Sequence, residues 1–156
     1  MSEINDLFSL TKDQIFDLDN PDIALIPKSN LLRFTIAQFK EMLFDDKYVY
    51  DYSYIHRIID GKVHCDFGGS IVRFLMGPDW SCEPWILFEL KWSPLVCQAN
   101  LLAMGNIRDT MRRVDDKLFA KFFKSPVYDP LDNTVDIPQR LGQLEEMADY
   151  LQKAGF

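Results

Sequence analysis

Two histidines and three cysteines are the side chains of this 156-residue chain best suited to nucleophilic or metal chemistry. A cysteine nucleophile needs an imidazole base, and Cys97 could be paired with His56 or His64. Asp51 or Asp60 could then orient that imidazole. Neither a glycine-flanked nucleophile nor an oxyanion loop accompanies these residues, and Cys97 falls on the apolar side of its predicted helix. The pattern therefore favours a buried thiol over a catalytic one.

The same residues are poorly spaced for a structural zinc site, which usually shows close pairs of Cys or His ligands. His56 and His64 are separated by seven residues, and no two cysteines form a close pair. His64 and Cys65 are adjacent, so they would point to opposite faces of a strand. We therefore expect no metal site.

Glycine motifs that bind nucleotide phosphates do not occur in the sequence, neither the P-loop nor the dinucleotide fingerprint. Gly68 and Gly69 precede a predicted helix and could offer backbone N–H groups to an anion. Asp66 would repel that anion, so close packing of the helix through its small residues is favoured. We therefore expect no cofactor.

Acidic side chains outnumber basic ones by 24 to 17, which gives a formal net charge of −7 and a pI near 4.7. This balance argues against general binding to nucleic-acid phosphates, which requires clustered cations. Three acidic doublets occur, at residues 45–46, 115–116 and 145–146. Adjacent helical side chains diverge by about 100°, so such doublets are typical of solvated surfaces and not of paired catalytic carboxyls.

Residues 105–125 are locally basic, with six basic and three acidic side chains. The basic residues are Arg108, Arg112, Arg113, Lys117, Lys121 and Lys124. They lie opposite an apolar stripe that runs from Ile107 to Phe123. This face could pack against the acidic ends of the chain, or it could dock an acidic partner or nucleic acid.

Tyrosine occurs at every second position from Tyr48 to Tyr54, beside several aspartates. Tyrosine offers a large contact area with a polar tip and is enriched at binding hot spots. In the alternative interpretation, alternate tyrosines cover the core and the others are half exposed. The candidate partner-binding residues are Asp45, Asp46, Tyr48, Tyr50, Asp51, Tyr52 and Tyr54.

Apolar periodicity and capping signals predict helices along most of the chain. We expect them at about 12–18, at 36–44 after a capping box that begins at Thr35, between Gly69 and Gly77, after Ser93-Pro94, over 107–123, and from Asp136 to about 153. A further short apolar segment covers 83–91.

Residues 48–65 give mixed signals. The alternating tyrosines are typical of a strand or an extended loop. Ile55, Ile58 and Ile59 have helical spacing, whereas Asp60-Gly61 is a hairpin signal. The spacing leans towards a short helix and a turn.

The sequence therefore predicts a mainly α fold: one compact domain over residues 1–156, with about six to seven helices and at most one short β-hairpin or extended segment near 48–65. Residues 1–10 and 154–156 are expected to be flexible. No signal-peptide pattern or membrane-length apolar run occurs, and the cysteine count is odd. We expect a reduced, cytoplasmic protein with no membrane partner.

Two segments, residues 64–72 (HCDFGGSIV) and 101–108 (LLAMGNIR) followed by the basic helix, resemble small helical proteins encoded by bacteriophages and prophages. The resemblance covers about 60 of the 156 residues. It implies an accessory protein that acts in the host cytoplasm, by binding a host factor or blocking a defence system.

The leading hypothesis is thus a non-enzymatic acidic protein that binds and modulates a host protein. Its carboxylates could stand in for phosphates and occupy a groove that normally binds nucleic acid. One alternative is a small enzyme that uses His64 with Cys65 or Cys97. Another is a homo-oligomeric structural module, such as a homodimer formed through the tyrosine surface.

Overall fold

The computed structural model describes residues 26–81, 94–97, 99, 117 and 136–156. In this part of the chain two helices pack against a three-stranded sheet, and the C-terminal helix packs against the first of them. The elements are α1 (Lys28–Leu43), β1 (Tyr48–Tyr50), β2 (His56–Ile59), β3 (Lys62–Cys65), α2 (Gly69–Met76) and α3 (Ile137–Lys153). Residues 94–97, 99 and 117 are also helical, whereas the helix predicted over 12–18, the apolar segment over 83–91 and all of 107–123 except Lys117 lie outside the described residues.

The sheet has the order β1-β3-β2, with β3 parallel to β1 and antiparallel to β2. A two-residue turn joins β2 to β3, and both of its residues have positive φ, 51° at Asp60 and 81° at Gly61. Two successive positive φ values define the type I′ turn, which matches the twist of a hairpin. The Asp-Gly signal is confirmed, and the short helix expected at Ile55–Ile59 is wrong.

The expected mainly α fold of six to seven helices is also wrong, because residues 48–65 form a mixed sheet. The three isoleucines fit a helical period as well as a strand, so spacing alone could not decide between them. The tight turn and the pairing of β3 on both edges favour the strand over the helix, because each strand gains a ladder of backbone hydrogen bonds.

Helix α1 begins eight residues before the predicted start and ends at Leu43, close to the predicted end. Thr35 does not cap the helix. It lies in the helix interior, where its hydroxyl donates to the Leu31 carbonyl at 2.8 Å. Pro27 occupies the N-cap position instead, which is compatible with its missing N–H.

One face of the sheet packs against α1, where the Phe39 ring meets Tyr50 and Phe67 edge-on at 5.2 and 5.5 Å between ring centres.

Helix α3 runs antiparallel to α1, because Ser29 bonds to Phe156 near one end and Lys40 pairs with Glu145 near the other. The predicted last helix is confirmed. The Asp136 carboxylate accepts from the Gln139 N–H at 3.2 Å, and one apolar stripe of the helix is buried: Leu141, Leu144, Ala148 and Leu151. None of the described helices combines the length and apolar character needed to cross a membrane.

Helix α2 confirms the prediction between Gly69 and Gly77, and its start explains the glycine pair. A Cβ on Gly69 would lie 1.8 Å from the Ile55 carbonyl oxygen and 2.9 Å from the Cys65 sulfur. The Gly69 N–H is already bonded to the Asp66 carboxylate at 2.6 Å. The small residue thus serves close packing of α2 on the sheet, and the carboxylate of the chain itself occupies the helix start.

We predict that Gly69→Ala lowers the free energy of unfolding by about 3 kcal/mol or more, because the Ile55 backbone would have to move. Gly142→Ala is the matched control. Gly142 lies inside α3 with nothing within 4 Å of an added Cβ, so the same change should stabilise the protein by about 0.5–1 kcal/mol. Urea denaturation measures both. Equal effects of the two substitutions would contradict the close approach.

Candidate functional site

The turn that joins α1 to β1, residues 43–47, is called here the α1–β1 corner. The Asp45 side chain stabilises this turn through hydrogen bonds within the chain. Its carboxylate accepts from Arg73 Nη2 at 3.0 Å and Nε at 3.2 Å, and from the Lys47 backbone N–H at 3.0 Å. Partial burial opposes ionisation, but these hydrogen bonds outweigh it, so the pKa of Asp45 lies below its ordinary value. The guanidinium of Arg73 also lies over the Tyr48 ring, 5.4 Å from its centre.

The α1–β1 corner presents apolar side chains to solvent. Phe44 is 89% exposed, and Leu43, the last residue of α1, is 39% exposed. Backbone hydrogen bonds hold the turn, from the Phe44 N–H to the Glu41 carbonyl and from the Asp45 N–H to the Met42 carbonyl. Sequence reasoning missed Phe44, although an apolar residue directly after a helix and before an Asp pair was the available signal.

Tyr48 and His56 form a buried pair on the inner face of the sheet. The Tyr48 hydroxyl lies 2.8 Å from His56 Nε2, and the imidazole ring also packs against Trp80. Loss of hydration is the main effect on the ring and lowers the pKa of His56 to about 4, although backbone groups at Trp80 and His56 act in the opposite direction. Burial likewise raises the pKa of Tyr48. His56 is therefore neutral at physiological pH.

The other three tyrosines of the predicted surface differ in exposure. Tyr50 packs against the core, Tyr52 is 52% exposed in the turn after β1, and Tyr54 is half-buried. Asp46 is exposed. The structure therefore does not bring the seven candidate residues into one exposed surface, since Asp45 is paired and Tyr48 is buried.

Asp51 and His64 meet on the outer face of the sheet. Asp51 Oδ2 lies 3.0 Å from His64 Nδ1, and the other carboxylate oxygen accepts from the Ser53 N–H at 3.0 Å. Partial burial works against the charge, but the hydrogen bonds from Ser53 and His64 lower the pKa of Asp51 below its ordinary value. Of the two aspartates considered for orienting an imidazole, Asp51 thus contacts His64.

The two thiols that the structure describes, those of Cys65 and Cys97, do not join this pair. Cys65 is buried on the inner face of β3, opposite to its neighbour His64. Cys97 is half-buried, and loss of hydration together with the charge of Asp66 raises the pKa of its thiol. A raised pKa keeps a thiol protonated and weakly nucleophilic. Among the described residues, Cys65 and Cys97 form no disulfide.

The remaining candidates contribute less to a site. Of the basic face, Lys117 is exposed, whereas Arg108, Arg112 and Arg113 lie outside the described residues.

A groove of about 420 Å³ lies between α1 and α3, and ion pairs that join Arg33 to Asp149 and Lys40 to Glu145 span it. Its charged side chains therefore already neutralise one another.

The burial of His56 makes stability depend on pH. Its pKa is lower in the folded chain, about 4, than the ordinary value of 6.5, so between these values the unfolded chain binds the additional proton. We predict that the free energy of unfolding falls by about 1.4 kcal/mol per pH unit from pH 6.5 towards pH 4. Denaturation at several pH values measures the slope. It should persist in His64→Gln and decrease in His56→Gln; an unchanged slope in His56→Gln would refute the assignment.

The Asp45–Arg73 pair predicts a difference between two adjacent aspartates. Asp45→Asn should cost about 1–2 kcal/mol of unfolding free energy at pH 7, because two charge-assisted hydrogen bonds weaken in a partly buried site. Asp46→Asn changes the same charge at an exposed position and should cost less than about 0.5 kcal/mol. Thermal denaturation of both variants tests this, and equal costs would show that the Arg73 contact contributes little.

No family model, no curated protein and no solved structure matches the chain. The resemblance to phage-encoded helical proteins stays a prediction.

Proposed function

We propose that the chain is an interaction protein that presents the α1–β1 corner to a partner protein with an apolar pocket. The supporting observation is the 89% exposure of Phe44. Burial of a phenylalanine side chain contributes about 1.5–3 kcal/mol, and aromatic residues are enriched in the buried centres of interfaces. Leu43 extends the apolar surface beside it.

The rigidity of the α1–β1 corner supports this role. Its backbone is bonded to the last turn of α1, and Asp45 fastens it to Arg73 on α2. An anchor that is already ordered loses less conformational entropy on binding, so more of the burial energy appears as affinity. The same contacts explain why Asp45 is not available to a partner, whereas the exposed Asp46 could pair with a cation at the rim of the pocket.

The charge of the described surface favours an apolar anchor over mimicry of nucleic acid. Residues 26–81 contain seven basic and seven acidic side chains. Residues 136–156 contain two basic and four acidic ones, so most of the −7 net charge belongs to residues outside the described part. In this proposal the partner is a host-cell protein, as the resemblance to phage proteins implies, and recognition depends on apolar contact.

The test compares three variants of the tagged chain in its native host lysate. Phe44→Ser should abolish capture of the partner that the native chain retains. Titration calorimetry with that purified partner should show an affinity at least tenfold lower for Phe44→Ser than for the native chain. Ile58→Ser is the control, because Ile58 is also an exposed apolar side chain, at 40%, but lies on β2, which β3 separates from β1. Tyr52→Ser tests whether the interface reaches the tyrosine turn. Unchanged affinity of Phe44→Ser would exclude the corner.

Two further measurements separate the alternatives. An apolar interface should bind with similar affinity at low and high salt, whereas steep weakening with salt would favour nucleic-acid mimicry. Sedimentation at high micromolar concentration tests self-association. A Phe44-dependent dimer would favour the homo-oligomeric module over a host partner.

A further inference from the structure

We infer that His64, held by Asp51, is a nucleophilic centre on the outer face of the sheet that transfers acyl groups from aryl esters to water. This activity is separate from the α1–β1 corner. It depends on three features of the described residues: the orientation of the imidazole, the access to its second nitrogen, and the groups beside it.

Asp51 determines which nitrogen can react. The His64 Nδ1–H donates to the Asp51 carboxylate at 3.0 Å, so in the neutral ring the lone pair is on Nε2. Asp51 is itself held by the Ser53 N–H at 3.0 Å, and it follows directly on the end of β1. Both partners of the hydrogen bond are therefore fixed by the sheet.

The second nitrogen is open. The His64 side chain is 24% exposed, and Nε2 has no hydrogen-bond partner among the described residues. The only other histidine of the chain, His56, is fully buried, and its Nε2 is bonded to the Tyr48 hydroxyl. The molecule thus contains one accessible imidazole and one blocked imidazole for comparison.

An aromatic and a cationic side chain are neighbours of His64 on the outer face of the sheet. Arg57 is the direct cross-strand neighbour of His64 on the outer face. The Tyr54 ring lies 6.0 Å from the imidazole ring, and the Arg57 guanidinium lies 5.6 Å from the centre of that tyrosine ring. A phenyl group can pack against these rings, and the guanidinium can stabilise negative charge on a carbonyl oxygen. These neighbours favour an aryl ester over an alkyl ester.

The reaction needs only the ester and water. Nε2 attacks the carbonyl carbon, a C–N bond forms, and the C–O bond to the aryl group breaks, which releases the aryloxide. The acylated ring is cationic and keeps its Nδ1 proton, so the Asp51 carboxylate stabilises the charge as it develops. Water then attacks the acyl carbon, the C–N bond breaks, and the carboxylic acid and a proton leave the restored neutral ring.

The experiment follows release of p-nitrophenolate from p-nitrophenyl acetate by the full chain, with equimolar free imidazole as the baseline. The native chain should exceed imidazole at least tenfold, and His64→Gln, in which His56 remains, should lose at least nine-tenths of the rate. Asp51→Asn should reduce the rate several-fold, whereas Asp60→Asn, an exposed aspartate in the hairpin turn, should leave it unchanged. Arg57→Gln should also reduce the rate, because its guanidinium is placed to stabilise negative charge on the carbonyl oxygen.

Nitrogen NMR of the imidazole distinguishes positioning by Asp51 from a merely structural role. The native ring should carry its proton on Nδ1, and Asp51→Asn should shift the ring towards the other tautomer while the fold is retained. A rate no greater than that of free imidazole, or an unchanged rate in His64→Gln, would overturn the inference. Phe44→Ser should not alter the rate of ester cleavage. Loss of the esterase activity and loss of partner binding at the α1–β1 corner can therefore be told apart.

Discussion

Backbone pairing on both edges of β3 determines where the candidate residues lie. The parallel register sets Val49 beside His64, and the antiparallel register sets Arg57 on its other side. Because side chains alternate along a strand, this register sends Cys65 to the core and His64 to the outer face. A shift of one residue would exchange the two faces and dismantle both histidine pairs.

The two histidines show how burial gives one residue type two different properties. His56 is enclosed with Tyr48 and Trp80, so loss of hydration lowers its pKa and keeps it neutral. His64 has similar hydrogen-bonding capacity but retains contact with solvent and is paired with an ionised carboxylate. The inner pair is therefore suited to packing, whereas the outer pair is suited to contact with a ligand.

The α1–β1 corner illustrates a similar division between adjacent residues. Asp45 is used internally, because Arg73 and the Lys47 N–H bind its carboxylate, and this fixes the direction in which the turn faces. Its neighbours Phe44 and Asp46 then extend into solvent. A single exposed apolar side chain is common, but one on a turn held this firmly loses little conformational entropy if it is buried in a partner, as the proposed function requires.

Local signals were sufficient where the structure depends on nearby residues. The end of α2 at Gly77 and the cap of α3 at Asp136 are determined within a few residues, because unpaired helix ends have local solutions. At Asp60-Gly61 the residue types predicted the turn, but the spacing of the isoleucines before it favoured a short helix over the strand that forms. Asp51 was also recognised from the sequence as a group that could orient an imidazole.

The tertiary structure alone decided the remaining features. The parallel pairing of β1 with β3, the burial of His56 but not His64, and the exposure of Phe44 depend on contacts between residues that are distant along the chain. The sequence by itself determined which residue types could form pairs and where turns and helix ends occur. Which pairs form, and which of them reach solvent, depends on strand register and packing, and a local pattern contains no information about either.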